Sequence, residues 1–328
     1  MSTALVTGAT GCVGANIVEA LLMRGYSVRA LRRASSRLTA LGGLGPDLVT
    51  GDIMDIDSLR TAMTGCEVVF HAAAVSQYWR NSVDLLYQSN VVGTRNVLDA
   101  ARASGVARVV VTSSVAVLGV PSKDRPLLDE SATFNRPPER FHYGHSKVLA
   151  EAEAARAIAD GLDVVCVNPA TVIGRRDVYF VGGEILRTVR KGLTLVAPAG
   201  GMGIVAAEVV GLGHVLAAER GRTGERYILN GENISHANFL RMAASVVGGR
   251  APWFTVPGST IRVAAALGRR LLRRPHSRFS AALAQLELSG LDMYFDGSKA
   301  ERELGCPRVG AREAVEDAWA WYQHEGLL

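Results

Sequence analysis

Over the first half of the chain, short apolar runs alternate with segments of helical spacing. Ala4-Leu5-Val6 reads as a strand, and the apolar positions of Asn16-Ile17-Val18-Glu19-Ala20-Leu21-Leu22 recur as in a helix. Tyr26-Ser27-Val28-Arg29-Ala30-Leu31 predicts a second strand, Leu48-Val49-Thr50-Gly51-Asp52 a third, and residues 67–74 a fourth. A helix follows over 90–102. Residues 106–114 are nearly all apolar, which predicts a fifth strand buried on both faces. A polar, proline-rich stretch, 121–138, reads as a loop over the site. An alanine-rich helix then runs from Tyr143 through Ala159, and residues 162–169 predict a sixth strand. Unbroken alternation of strand and helix predicts an α/β fold with a parallel, doubly wound sheet. Beyond about residue 174 the rhythm breaks up between Gly-rich turns such as Gly182-Gly183 and Gly200-Gly201, with strand candidates at 226–230 and 293–295. We therefore expect one domain over 1–174. A smaller mixed α/β region over 175–328 is expected to be discontinuous and to return in part to the first.

The junction of the first strand and helix carries the first chemical signal, Thr7-Gly8-Ala9-Thr10-Gly11-Cys12-Val13-Gly14. Strand, glycine turn and helix in this order bind a dinucleotide pyrophosphate: the helix N-terminus presents free N–H groups and a positive dipole end, and glycines admit the phosphates. The spacing is T-G-x-x-G-x-x-G rather than G-x-G-x-x-G. In such a sheet the end of the second strand lies beside the adenosine ribose, where an acid would select NAD. Here stand Arg32 and Arg33, followed by Arg37, and guanidinium groups match a phosphate dianion in charge and shape. The expected cofactor is NADPH in preference to NADH. Asp52, with Ile53, is placed near the adenine, and Ala72, Ala73 and Ala74 leave room for the cofactor backbone. His71 reads as a structural histidine.

Composition narrows the class. The 328 residues are 48% hydrophobic and 20% charged, as in a globular enzyme. A net charge of +5 is modest and is assigned to anionic cofactor phosphates, not to nucleic acid. No apolar run approaches the ~18 residues of a membrane span. The N-terminus enters a core strand directly, so no signal peptide is read and a cytoplasmic location is expected. Cys12, Cys66, Cys166 and Cys306 are scattered, which predicts reduced thiols and no structural metal. The run 261–279 places Arg262, Arg269, Arg270, Arg273 and Arg274 among apolar residues. It reads as a surface helix with a solvated basic face, in preference to a membrane-contacting one.

Tyr143 and Lys147, four apart at the start of a helix, share one face. Tyrosine has a pKa near 10, and a neighbouring ammonium with an oxidised nicotinamide favours the tyrosinate. Ser114, at the end of the fifth strand, would hold a substrate oxygen against Tyr143.

The Gly turn, Ser114, Tyr143 and Lys147 together resemble the extended short-chain dehydrogenase/reductases, with the dihydroflavonol-reductase-like branch and its hopanoid-associated sugar epimerase-like members nearest. The resemblance runs from Thr7-Gly8 through Tyr227-Ile228-Leu229-Asn230-Gly231 to Leu304-Gly305. It implies a Rossmann-like fold, a Ser114–Tyr143–Lys147 triad, a structural role for Asn90, and a homodimer through the helices after Asn90 and Tyr143. Thr112, Pro169, Thr171 and Val172 join Tyr143 and Lys147 as implied cofactor contacts. Two departures bear on the substrate. Val115-Ala116 stand where sugar-nucleotide dehydratases carry Asp-Glu. Met202, Ala206 and Val209 stand where sugar-nucleotide epimerases carry Arg, His or Asp, and Asp. Both favour a less charged, more apolar carbonyl substrate, with Arg175, Arg176 and Arg187 left as phosphate contacts for the alternative. The expected activity is NADPH-dependent reduction of a ketone or aldehyde, with Val75, Tyr78, Trp79 and the 121–134 loop lining the substrate pocket. The alternative is a sugar-nucleotide epimerase that reduces its cofactor transiently.

Overall fold

The computed structural model describes residues 2–271 and 278–328. Seven strands, β1 (Thr3–Thr7), β2 (Ser27–Arg32), β3 (Asp47–Thr50), β4 (Val68–His71), β5 (Arg108–Thr112), β6 (Asp163–Pro169) and β7 (Arg226–Leu229), form one parallel sheet. Their order is β3-β2-β1-β4-β5-β6-β7. The order reverses between β1 and β4, and a crevice opens beyond the carboxyl ends of the strands at such a reversal.

The alternation of side chains along the strands sorts the core into two layers. Val6, Val110 and Val165 pack with Ile17 of α1 (Cys12–Met23) and Val210 of the helix Ala207–Arg220. Leu5, Val109, Val111 and Val164 pack on the other side, with Leu59 of the helix Ile56–Met63, Val97 of α2 (Gly93–Ala103) and Ala154 of α3 (His142–Ala159). Residues buried on both faces explain why β5 and β6 read as continuous apolar runs. The fourth strand ends at His71, so Ala72 to Ala74 lie past it, on the crevice.

A second sheet is centred on Gly201–Ala206. That strand pairs antiparallel with Glu232–Ser235 and parallel with Thr171–Ile173 and Asp292–Phe295. Here the structure corrects an expectation. The 121–138 stretch is not a free loop, because Leu127–Leu128 adds to this sheet against Tyr294 and Phe295. Asn135 closes it by accepting from the Val120 N–H and donating to the Val120 carbonyl. A small parallel ribbon joins Val196–Pro198 to Phe254–Val256, and the helices α4 (Gly258–Leu271) and α5 (Arg278–Ser289) follow it.

Candidate active site

A cleft of about 930 Å³ lies at the carboxyl end of the parallel sheet. The predicted cofactor and substrate residues line it, with the exceptions of Arg37 and the 121–134 loop. The turn after β1 gives the cleft its floor. Gly8 has φ +67°, and a Cβ there would come within 2.6 Å of the Ala73 nitrogen. A Cβ on Gly14 would sit 2.2 Å from the Gly8 carbonyl oxygen. These two glycines are required by the protein's own packing. Gly11 is different: its Cβ would meet the Gly8 oxygen at 3.5 Å, an ordinary contact. It is the N-cap of α1, no side chain caps that terminus, and no acid stands in the first turn. The helix N-terminus is therefore open to an anion, and the residues present fit a dinucleotide pyrophosphate.

Arg32 and Arg33 reach the cleft at the end of β2. Arg32 donates to the carbonyls of Arg33 and Ala34 at 3.5 and 3.4 Å, and its Nε has no partner among the described residues. Arg37 is exposed and does not line the cleft. A tight turn in which Ser36 N–H donates to the Arg33 carbonyl and Arg33 N–H donates to Ser36 Oγ redirects the chain before Arg37. Ser35 and Ser36 occupy that wall instead.

Ser114, Tyr143 and Lys147 converge on the far side. Ser114 caps the 3-10 turn Val115–Leu118, accepting from the Ala116 N–H at 3.2 Å. Burial pushes the Tyr143 phenol upward, and the neighbouring Ser114 hydroxyl opposes it. Lys147 Nζ donates to the Thr112 carbonyl at 2.8 Å. Burial lowers its pKa to about 8, with the Glu151 carboxylate opposing the fall. Neighbouring Ser113 turns the other way, donating to buried Glu151. Glu151 also accepts from Asn168 Nδ2 at 2.8 Å and pairs with Arg226 at 2.7 Å. Asn168 in turn donates to the Ser114 carbonyl at 3.2 Å. One buried carboxylate, one helical turn beyond Lys147, thus ties both ends of the triad together. Sequence reading missed it, although its i+4 spacing from Lys147 was a usable signal.

Asn90 is buried behind the cleft wall. It sits in the π-helical turn Gln88–Val92, a local irregularity common at working sites, accepts from Val75 N–H at 2.8 Å and donates to Ser146 Oγ at 3.0 Å. His71 is structural: it lies between Thr7 Oγ1 and Thr94 Oγ1 at 2.8 and 2.9 Å, and burial holds its pKa down at about 3. At the substrate end Tyr78 stacks on Tyr143, ring centroids 5.4 Å apart, and its hydroxyl donates to Gln285 of α5. Gln285 carries no local sequence signal, since it reaches the cleft from 207 residues away. The 121–134 loop contributes nothing to this wall, because its pairing with the second sheet draws it off.

The three arginines held in reserve for a sugar nucleotide are engaged elsewhere. Arg175 pairs with Asp317 and Glu208; Arg176 pairs with Glu19 and donates to the Ala40 and Gly42 carbonyls; Arg187 stacks over Phe180 at 4.4 Å and pairs with Glu184.

Residues 4–196 match the family described as NAD dependent epimerase/dehydratase. The chain belongs to that family. Its members of this kind, the extended short-chain dehydrogenase/reductases, are NAD(P)-dependent enzymes. A putative dihydroflavonol 4-reductase of Synechocystis sp. is 41% identical over 98% of this chain and 95% of its own length. Sterol demethylase protein B of Methylococcus capsulatus is 34% identical over 99% of this chain and all of its own. Among solved structures, that of gox2253 superposes with a TM-score of 0.88 at 35% identity, over 99% of both chains.

Proposed function

We propose that this family member is an NADPH-dependent carbonyl reductase acting on a ketone or aldehyde with an apolar, ring-like body. The bound dinucleotide supplies the hydride. Tyr143 gives its hydroxyl proton to the carbonyl oxygen, which Ser114 holds by hydrogen bond. Lys147, kept charged by Glu151, favours the tyrosinate left behind and binds the nicotinamide ribose. Residues 1–174 hold the cofactor, and the part beyond shapes the substrate end through Gln285. Arg32 takes the 2′-phosphate.

The observation that carries the reading is the stacked Tyr78–Tyr143 pair above a cleft whose candidate phosphate ligands, Arg175, Arg176 and Arg187, are already paired within the protein. An aromatic pair at the substrate end, with those three arginines engaged elsewhere, suits an apolar carbonyl compound better than a nucleotide diphosphate sugar. The reductase and sterol names of two relatives agree with it.

The test is consumption of NADPH and, in parallel, NADH against aldehydes, diketones and cyclic ketones, by wild type and Tyr143→Phe. Positioned acid–base groups contribute roughly a hundredfold or more, so Tyr143→Phe should lose at least that. Turnover within about tenfold of wild type would refute Tyr143 as the acid. Retained cofactor without net consumption on the whole panel would favour transient oxidation and an epimerase.

A further inference from the structure

Charge is distributed unevenly along this chain. Between residues 233 and 286 there are eight arginines and no Asp or Glu, while the rest of the chain holds 28 basic and 31 acidic residues. The span thus carries more than the whole net charge of +5.

Part of it, Trp253 to Val256, joins residues 193–198 in an exposed apolar surface. The ribbon of Val196–Pro198 and Phe254–Val256 turns Ala197 into the core and leaves Val196 and Phe254 facing out. Trp253, whose N–H donates to the Leu195 carbonyl at 2.9 Å, extends it. Trp253 is 74% exposed, Leu193 68% and Phe254 58%. Scattered exposed apolar residues are ordinary, but five large ones on one ribbon (Leu195 and Val196 complete it) make a patch. Cations edge it. Exposed Arg190 donates to the Gly248 carbonyl at 2.8 Å, exposed Lys191 follows, and Arg250 lies against Gly192. No Asp or Glu occurs in 188–198 or 248–258.

The helix that leaves the ribbon continues the pattern. In α4, Ile261 and Ala265 are buried, and the outer face shows Val263 and Leu267, at 59% and 56% exposure, beside Arg262 and Arg270. Exposed cations and bare aliphatic side chains thus share that face. Arg273 and Arg274 lie outside the described residues. Among the described residues no helix is long and apolar enough to cross a membrane.

We infer that the ribbon around Trp253 and Phe254, with its rim of Arg190, Lys191 and Arg250, is an interfacial docking site for anionic lipid bilayers. Indole and phenyl side chains sit at the headgroup level of a bilayer, and flanking Lys and Arg meet its negative surface. A span free of carboxylates suits a uniformly anionic surface better than a protein face of mixed sign. The helix pair after the ribbon also delivers Gln285 to the cleft, so docking sets the substrate end of the enzyme beside the lipid. The docking itself does not rest on the reductase reading.

The test is co-sedimentation of the full-length protein with phosphatidylcholine vesicles, with and without phosphatidylglycerol. Each basic side chain near an anionic surface strengthens partitioning about fivefold, so three should give at least about tenfold preference for the anionic vesicles, weakened by salt. The double variant Trp253→Ser, Phe254→Ser should lose at least about tenfold in binding while its melting temperature and its nucleotide affinity stay unchanged. Lys191→Glu with Arg250→Glu should erase the preference for anionic lipid. Equal binding to both vesicles, binding to neither, or unchanged binding by the aromatic variant overturns the inference. So does a wild-type dimer in sedimentation that the aromatic variant dissolves, since a second copy would then be the occupant.

Discussion

Gly11→Ala separates the architecture of the glycine turn from its ligand. The φ of Gly11 is −98°, open to any residue, and the added Cβ meets the Gly8 oxygen at 3.5 Å. Alanine is a poorer N-cap than glycine by about 0.5–1 kcal/mol, and the stiffer unfolded chain offsets this by about 0.4–1 kcal/mol. Net stability should stay within about 1 kcal/mol. At about 2.1 cal/mol/K per residue, 328 residues convert 1 kcal/mol into about 1.5 °C of melting temperature. Gly14→Ala is the contrast: its methyl would lie 2.2 Å from the Gly8 oxygen and 2.8 Å from the Ala9 Cα, backbone that must move. Overpacking of about 1–3 kcal/mol or more follows, a fall of several degrees. Binding should rank the variants differently. The Gly11 methyl occupies the approach to the first N–H groups of α1. Loss of two charge-assisted hydrogen bonds, about 1.5–3 kcal/mol each, weakens nucleotide binding about a hundredfold or more. Thermal melts without nucleotide and fluorescence titration with NADPH check both halves. Nucleotide affinity of Gly11→Ala within about threefold of wild type would refute the placement of the pyrophosphate. A melting loss equal to that of Gly14→Ala would refute the packing argument.

Three further outcomes are expected. Arg32→Glu should weaken NADPH by about ten- to a hundredfold and leave NADH within a few-fold if, as proposed, its guanidinium, whose Nε has no partner among the described residues, takes the 2′-phosphate that only NADPH carries; equal losses in parallel titrations of the two nucleotides would remove Arg32 from that role. Glu151→Gln takes away the charge that opposes the fall of Lys147 to about 8, so Lys147 loses its proton at lower pH. The alkaline limb of kcat/KM should move to lower pH, and a limb that stays in place would mean that Lys147 does not set it. Acid should destabilise the fold through His71 and His214, whose pKa values burial lowers from 6.5 to about 3 and about 4. Below pH 6.5 the unfolded chain binds protons that the folded one refuses, so this stability is present above pH 6.5 and is lost as pH falls. Near pH 5 the loss is about 2 kcal/mol for each histidine. Urea titrations from pH 7 to pH 5 measure it, and replacing His214 by Gln should flatten the curve.

The parts of the site legible in the sequence are those whose partners are close in sequence. The Gly8-x-x-Gly11-x-x-Gly14 turn, the strand end at Ser114 and the Tyr143/Lys147 helical pair each follow from local backbone geometry. The six strands before residue 174 were legible for a related reason, since β5 and β6, buried on both faces, are continuous apolar runs; Arg226–Leu229 stood only as a strand candidate, and the sheet takes it as its seventh. What failed depended on contacts that folding makes and residue spacing does not show. The 121–138 stretch has the composition of a loop, and its two paired residues gain their partners from Tyr294 and Phe295, far along the chain. Arg175, Arg176 and Arg187 looked free because Asp317, Glu19 and Phe180 come to them through packing. Arg37 looked like a phosphate ligand by proximity, and one turn at Ser36 was enough to remove it.

Glu151 shows how the local and the distant parts meet. Its place on α3 is set by helical spacing from Lys147, but its partners come from three other elements: Ser113 just past β5, Asn168 on β6 and Arg226 on β7. A lone buried carboxylate is costly; here an arginine and two neutral donors meet its oxygens. The strand that enters the sheet last in sequence therefore supplies the counter-charge that lets a carboxylate stay behind Lys147. The return of the chain at 226–229 therefore bears on the site: Arg226 pairs with the carboxylate whose charge opposes the burial-driven fall of the Lys147 pKa.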